Sequence, residues 1–336
     1  MKTTQKLFLI ASIVAIASCK KDNKISPAPS PIVTTTTYNS IWDFFSGVGV
    51  PMQNYTINAG TGGSFTSLQG TLVNIPANAF VTHANTPVTG NITIQFKDIY
   101  KKSDMFLANM PTQLYSGAAL KSGGEFFIKA VQNNLALSIA PGKNIAVTQP
   151  ASLTGGVNAA FPQQAYVWKD TLITATNCTV CPYYIINDSI WSFNNFDNVQ
   201  TVAQNYIFSL YSYDSVPAPN GSGGWCNSDN PSYFASYPQT TLNLLAQDSV
   251  NVYGTQVFLF FKNLASMVHV YNSGYENFKY NYAPQGLQCT VVAVGFKGNT
   301  LYASYTPITI GTNQTVLFTL SPTTTSAFVA QIRTLD

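Results

Sequence analysis

The chain has 336 residues, enough for two or three domains with an ample core. Charged residues make up only 9% while hydrophobics reach 46% and aromatics 13%, which excludes a disordered chain and requires a surface of uncharged polar groups. The formal charge of +3 includes a single arginine, Arg333, so the clustered positive charge and arginine forks of nucleic-acid binders are missing.

The first predicted element is a targeting segment. Lys2 and Lys6 make a positive start, and Leu7 to Ser18 form an apolar run of 12 residues, short of the about 20 that span a bilayer. Ile16-Ala17-Ser18-Cys19 resembles the lipobox read by the bacterial lipoprotein signal peptidase. The resemblance implies that residues 1–18 are removed and that Cys19 becomes the acylated first residue. An ordinary signal peptide cut after Ala17 or Ser18 is the alternative, and it would leave Cys19 incidental. Losing Lys2 and Lys6 leaves 14 basic residues against 13 acidic ones. Residues 19–38 follow as a Pro/Thr-rich tether, where Pro27, Pro29 and Pro31 favour an extended spacer.

Strand signals dominate from Tyr38 onward. In Asn91 to Lys97 the residues Ile92, Ile94 and Phe96 alternate with polar neighbours, the period of a half-buried strand. Leu135, Leu137 and Ile139 alternate likewise before a Pro141-Gly142 turn. Gln256 to Lys262 is apolar on both faces and reads as a central strand, and Cys289 to Phe296, Leu301 to Tyr305 and Thr315 to Leu320 complete the set. Short strands with turn signals between them predict an all-β fold of two β-sandwich domains. A short C-terminal helix is predicted over Thr324 to Leu335, with Phe328, Ile332 and Leu335 on one face. The expected domains are a first sandwich at 39–150, an aromatic-rich connecting region at 151–224 packed on its neighbours, and a second sandwich at 225–336. Pro217 to Gly224 is the clearest internal break.

Three segments carry a family resemblance: G-T-G-G-S-F at 60–65, G-T-L-V-N-I-P-A-N-A-F at 70–80, and V-T-G-N-I-T-I-Q-F-K-D-I-Y at 88–100. With G-G-E-F-F-I-K-A at 123–130 they resemble surface proteins of Bacteroidota that carry a β-sandwich related to the module of tight-junction scaffolds and netrin receptors (ZU-five type). That resemblance implies that Pro76 turns the chain, that Phe80 plugs the core, and that no catalytic residue comes with the module. Gly224-Trp225-Cys226-Asn227 resembles a G-W-x-N segment downstream in such proteins. Residues 290–311 resemble, in strand rhythm, the prealbumin-like sandwich that serves as an accessory domain on carboxypeptidases and surface proteins.

Candidate chemistry is thin. Cys178 and Cys181 form a C-x-x-C pair and join Cys226 and Cys289 as four cysteines that pair in three ways as two disulfides; an oxidising compartment makes structural pairing the default over a zinc site or a redox dithiol. His83 reads as a turn residue and His269 as a strand residue, and two isolated histidines cannot build a three-histidine metal site. Only two glutamates, Glu125 and Glu276, stand among the acids a glycosidase would draw on. Gly60 to Gly63 lacks the following helix and lysine of a phosphate cradle and reads as a turn. Asp170-Thr171-Leu172, Asp188-Ser189-Ile190, Asp214-Ser215-Val216 and Asp248-Ser249-Val250 resemble the O-glycosylation signal of exported Bacteroidota proteins, which implies Thr171, Ser189, Ser215 and Ser249 as acceptors. Trp168, Trp191 and Trp225 are the candidate ligand platform, with core or seam packing as the competing role.

The resulting expectation is a non-enzymatic lipoprotein of the outer membrane, with no cofactor and no metal, acting in binding, adhesion or scaffolding. Its expected partners are the membrane through the lipid and either a glycan or an envelope protein. A glycan-binding accessory protein of a polysaccharide-uptake system is the alternative, and a secreted-type hydrolase the third reading.

Overall fold

The computed structural model describes residues 37–114, 117–154, 166–173, 188–193, 199–202, 205–211, 224–230, 232–247, 254–274 and 277–336. Antiparallel pairing builds the first sandwich. One of its sheets runs in the order β1 (Gln53–Asn58), β5 (Asn91–Ile99), β6 (Lys121–Gln132), β14 (Gly224–Asn230), β10 (Tyr166–Ile173) and β11 (Asp188–Phe193), with β7 (Leu135–Ala136) folded back on β6. The opposing sheet runs β12 (Val199–Val202), β13 (Asn205–Tyr211), β9 (Asn144–Gln149), β3 (Leu72–Ile75) and β2 (Gly63–Thr66). A small pair, β4 (Phe80–Val81) and β8 (Ser138–Ile139), closes one side. Ile94, Phe96, Phe126 and Ile128 from one sheet meet Val73, Ile75, Ile145 and Val147 from the other in a shared core. The alternation along β5 is the one expected, with Ile92, Ile94 and Phe96 all buried.

The expected boundaries need correcting. Strands β10 to β13, which come from the 151–224 region, pair into the two sheets of the first sandwich. Strand β14, placed by the boundary at 225 in the second sandwich, pairs with β6 in the first. The cause is edge satisfaction: β6 and β9 would otherwise present unpaired backbone groups, and β14 and β13 cover them. Leu135 also departs from expectation. It is 71% exposed, because the predicted strand breaks into β7 and β8, and only Leu137 and Ile139 reach the core.

The second sandwich pairs a sheet of order β18 (Asn272–Gly274), β19 (Asn277–Pro284), β15 (Gln239–Ala246), β22 (Gln314–Phe318) with one of order β17 (Met267–Val270), β16 (Gln256–Phe261), β20 (Gln288–Lys297), β21 (Thr300–Thr309), β23 (Ser321–Thr323). Strand β22 runs parallel to β15. Leu242, Leu244, Val257, Leu259, Phe278 and Val291 lie in its core. A short helix, α3 (Ser232–Ala235), leads into it and buries Phe234.

Helices α1 (Ile41–Val48), α2 (Lys102–Leu107) and α4 (Thr325–Arg333) explain why β16 is apolar on both faces. Its outward residues Phe258 and Phe260, with Val292 and Val294 of β20, meet Phe44 and Phe45 of α1, Phe106 of α2, and Phe328 and Ile332 of α4. Phe106 is the hub, with ring centroids 5.1 Å from Phe45, 4.9 Å from Phe258 and 5.8 Å from Phe328. Helix α4 begins one residue inside the predicted span, with Thr324 as its cap: the Thr324 hydroxyl accepts a hydrogen bond from the Ala327 N–H.

The loop between β5 and β6 welds the sandwiches. The Thr112 N–H donates to the Met267 carbonyl at 2.8 Å, and the Ser266 hydroxyl donates to the Leu120 carbonyl at 2.7 Å. Buried Lys102 donates to the carbonyls of Phe261 and Leu264. Asp336 accepts from the Ser103 N–H and hydroxyl at 2.9 and 2.7 Å, capping the start of α2. Residues 38–336 accordingly form one unit.

Candidate functional site beside Lys97 and Trp225

The motif at 70–80 has a local physical reason. Asn78 adopts a left-handed φ of 56°, and Phe80 beyond it is buried in the first core. Gly62, at φ 71°, lies against the same segment: a Cβ there would stand 2.3 Å from the Ile75 carbonyl oxygen and 2.6 Å from the Pro76 carbonyl carbon. The G-T-G-G segment is therefore a packed turn, as read from the sequence.

Cys226 lines the first core and Cys289 the second, so the two belong to different cores. Cys289 forms no disulfide among the described residues, and burial pushes the pKa of its thiol up to about 12. Cys19, Cys178, Cys181, Ser215 and Ser249 lie outside the described residues. His83 is exposed in a turn of the first sandwich, while His269 is buried on β17 and stacked 4.6 Å from Phe258. The two glycosylation motifs that are described face one another across a strand pair, with Thr171 opposite Ile190 and Ser189 opposite Leu172.

Two buried polar clusters consume most of the interior polar groups of the first sandwich. Asp98 is fully buried on β5, and its Oδ2 accepts hydrogen bonds from the Ser67 and Thr71 hydroxyls. Gln53 donates to Oδ1 at 3.3 Å, and Gln69 donates to the Asp98 carbonyl. Tyr100 pairs with the Thr71 hydroxyl, and burial, reinforced by Asp98, raises its phenol well above the ordinary value. In the second cluster Asn227 donates to Glu125 at 3.2 Å and accepts from the Ser122 hydroxyl at 2.8 Å. Glu125 is thus held inside the sheet. Both clusters tie strands and loops together, with their polar atoms turned on one another.

Lys97 is different. It sits on β5 opposite Phe127, which is itself opposite Trp225 on β14, so the three residues form one row across the sheet. The Phe127 and Trp225 rings meet edge-on at 5.6 Å, and the Lys97 ammonium lies 5.9 Å from the Trp225 ring centroid. Trp225 is half-buried and packs against Met110, Leu120 and the seam cluster, so it serves seam packing as well as the row. No carboxylate meets Lys97 among the described residues. Burial lowers its pKa from the ordinary lysine value. Lys97 also lines an open cleft of about 490 Å³ whose other walls are the end of α1 from Phe45 to Gly49, the Val50-Pro51-Met52 segment and Ala108. Each of the adjacent strands β14, β10 and β11 carries one tryptophan: Trp225, then Trp168 opposite Asn227, then Trp191 opposite Asp170.

No family model and no curated protein matches the chain. Among solved structures the chain is similar to the major pilin subunit of Bacillus cereus, at 8% identity and a TM-score of 0.18, covering 82% of this chain and 100% of that one. A variant of the same subunit gives 9% identity, a TM-score of 0.18, and coverage of 81% and 99%. Overlap this low carries no argument about fold or role.

Sequence reading passed over Lys97 and the cleft. In N-I-T-I-Q-F-K the lysine reads as one more solvated residue of the polar face. The available signal was Ile41, Phe44, Phe45 and Val48 behind Ser40, a capped amphipathic turn pair that places α1 and so forms the opposite wall.

Proposed function

We propose that this chain is a lipid-anchored protein of the outer membrane whose body has a non-catalytic binding, adhesion or scaffolding role. The anchor rests on the Ile16–Cys19 lipobox and the proline spacer behind it. The observation that carries the reading is how the body takes up the end of that spacer. Tyr38 packs edge-on to Phe44 at 5.7 Å, and α1 then locks into the aromatic seam. The described part of the chain thus starts inside the aromatic seam, and a sequence-predicted spacer ahead of it supports the reading of a module held away from a membrane to meet a partner. The buried carboxylates Asp98 and Glu125 support a non-catalytic role, because their hydrogen bonds go to neighbouring strands and loops.

A glycan-binding role is the second reading, favoured by the run of one tryptophan on each of β14, β10 and β11. Metabolic labelling with an alkyne fatty acid tests the anchor. The wild type is expected to take up label and fractionate with membranes, and Cys19→Ala to lose both. A wild type without label in the soluble fraction would sink the proposal.

A further inference from the structure

We infer that the cleft beside Lys97 is a binding site for an acidic sugar, a uronate unit whose carboxylate pairs with the Lys97 ammonium. This deepens the binding reading above and rests on it, though not on the lipid anchor.

Three observations carry the assignment. The first is the cation itself. Lys97 is half-buried, with no carboxylate and no hydrogen-bond acceptor at its Nζ among the described residues, and its ammonium lies over the Trp225 ring. A partly desolvated ammonium without a partner is costly, and a ligand carboxylate would supply the missing charge. Its lowered pKa has the same origin. The second is the facing wall. Helix α1 ends there with Gly49 as its cap, so the carbonyls of the lining residues Ser46 and Gly47 lie beyond the last intrahelical donors. They are acceptors, and they call for hydroxyl donors on the ligand. The third is the floor of Pro51, Met52 and Ala108, which suits the apolar C–H face of a sugar ring. A carboxylate and several hydroxyls on one compact body describe a sugar acid better than a peptide end, whose amides would need donors from the wall.

The test is calorimetric titration of the full chain, solubilised in detergent, with a galacturonic acid trimer, a neutral glucose trimer and an acetylated tripeptide with a free carboxylate. The acidic trimer is expected to bind, to weaken as salt is raised, and to lose roughly tenfold or more in affinity in Lys97→Gln. The neutral trimer is expected to bind at least as poorly as that variant. Thermal melting of Lys97→Gln checks that the variant is folded; Lys97→Arg, which keeps the charge, should retain most of the affinity. Equal binding of acidic and neutral trimers, tighter binding of the tripeptide, an unchanged affinity in folded Lys97→Gln, or no binding at all overturns the assignment. Binding of the neutral trimer or the tripeptide alone would leave the broader binding role standing. A membrane-bound, labelled protein that binds none of the three would separate the failure of this site from that of the anchor.

Discussion

Asp98 is a carboxylate with no cation beside it, buried completely and satisfied by two hydroxyls and an amide. Such a site is stable because both carboxylate oxygens find donors, and the two hydroxyls lie on the 67–71 loop that the site thereby fixes. Gly124 belongs to the same economy of space: at φ 117° its missing Cβ leaves room for the Tyr100 ring, which a methyl would meet at 2.5 Å. Tyr305 shows the opposite case. Its hydroxyl is buried in the seam with no hydrogen-bond partner among the described residues, and burial raises its pKa. Replacing it by phenylalanine removes a desolvated group without a cavity. Tyr305→Phe is expected to raise stability by about 1 kcal/mol in urea unfolding. A loss of stability would mean that the hydroxyl has a partner after all.

At the scale of elements, the three seam helices are short, and none would hold its shape alone. Helix α2 has six residues, and its structure comes from Asp336 at its start and from Phe106 beneath it. The same small region carries a pH response. Burial raises the Asp104 carboxyl above 3.8, Arg333 pulls it back, Asp336 pushes it up again and Lys101 pulls it down. A carboxyl whose folded pKa is raised binds its proton more tightly in the folded state, so its contribution is greatest below 3.8 and declines as pH rises through its folded value. Asp104→Asn is expected to lose that decline. The difference between wild-type and variant urea midpoints should widen in the variant's favour as pH rises above the ordinary carboxylate range; a constant difference would refute it. The elements themselves were unevenly legible. The alternation of β5 and the double-sided apolarity of β16 stand in the sequence, and so does the terminal helix α4. What covers β16 does not, because periodicity reports that a face is buried and not by which partner. Helices α1 and α2 have eight and six residues, too brief for their period to stand out against strand-rich surroundings.

For the whole molecule, the two sandwiches share a weld made by the loop between β5 and β6 and by the phenylalanines around Phe106. The all-β class and the pair of sandwiches were readable from strand spacing. The assignment of β10 to β14 to the first sandwich was not, because an open sheet edge has no signature in local sequence and is visible only once β6 and β9 are seen to lack neighbours. The Lys97 cleft was hidden for a related reason: its walls come from residues 45–52, 97 and 108, segments joined only by the fold. The weld makes a prediction at this scale. Phe106→Ala is expected to cost about 3–5 kcal/mol and to split a single unfolding transition into two. A cost below about 1 kcal/mol with one transition retained would show that the sandwiches are coupled elsewhere.

Helix α1 stands between residue 37 and both sandwiches, and it is fixed to β16 and β20 of the second although the chain runs on from it into β1 of the first. A pull arriving along the chain through residue 37 therefore reaches that helix before it reaches any strand pair. The load first shears Phe44 and Phe45 across the seam instead of peeling β1 from its sheet. A force applied at residue 37 would thus meet the joint between the sandwiches ahead of the hydrogen-bond ladder of β1.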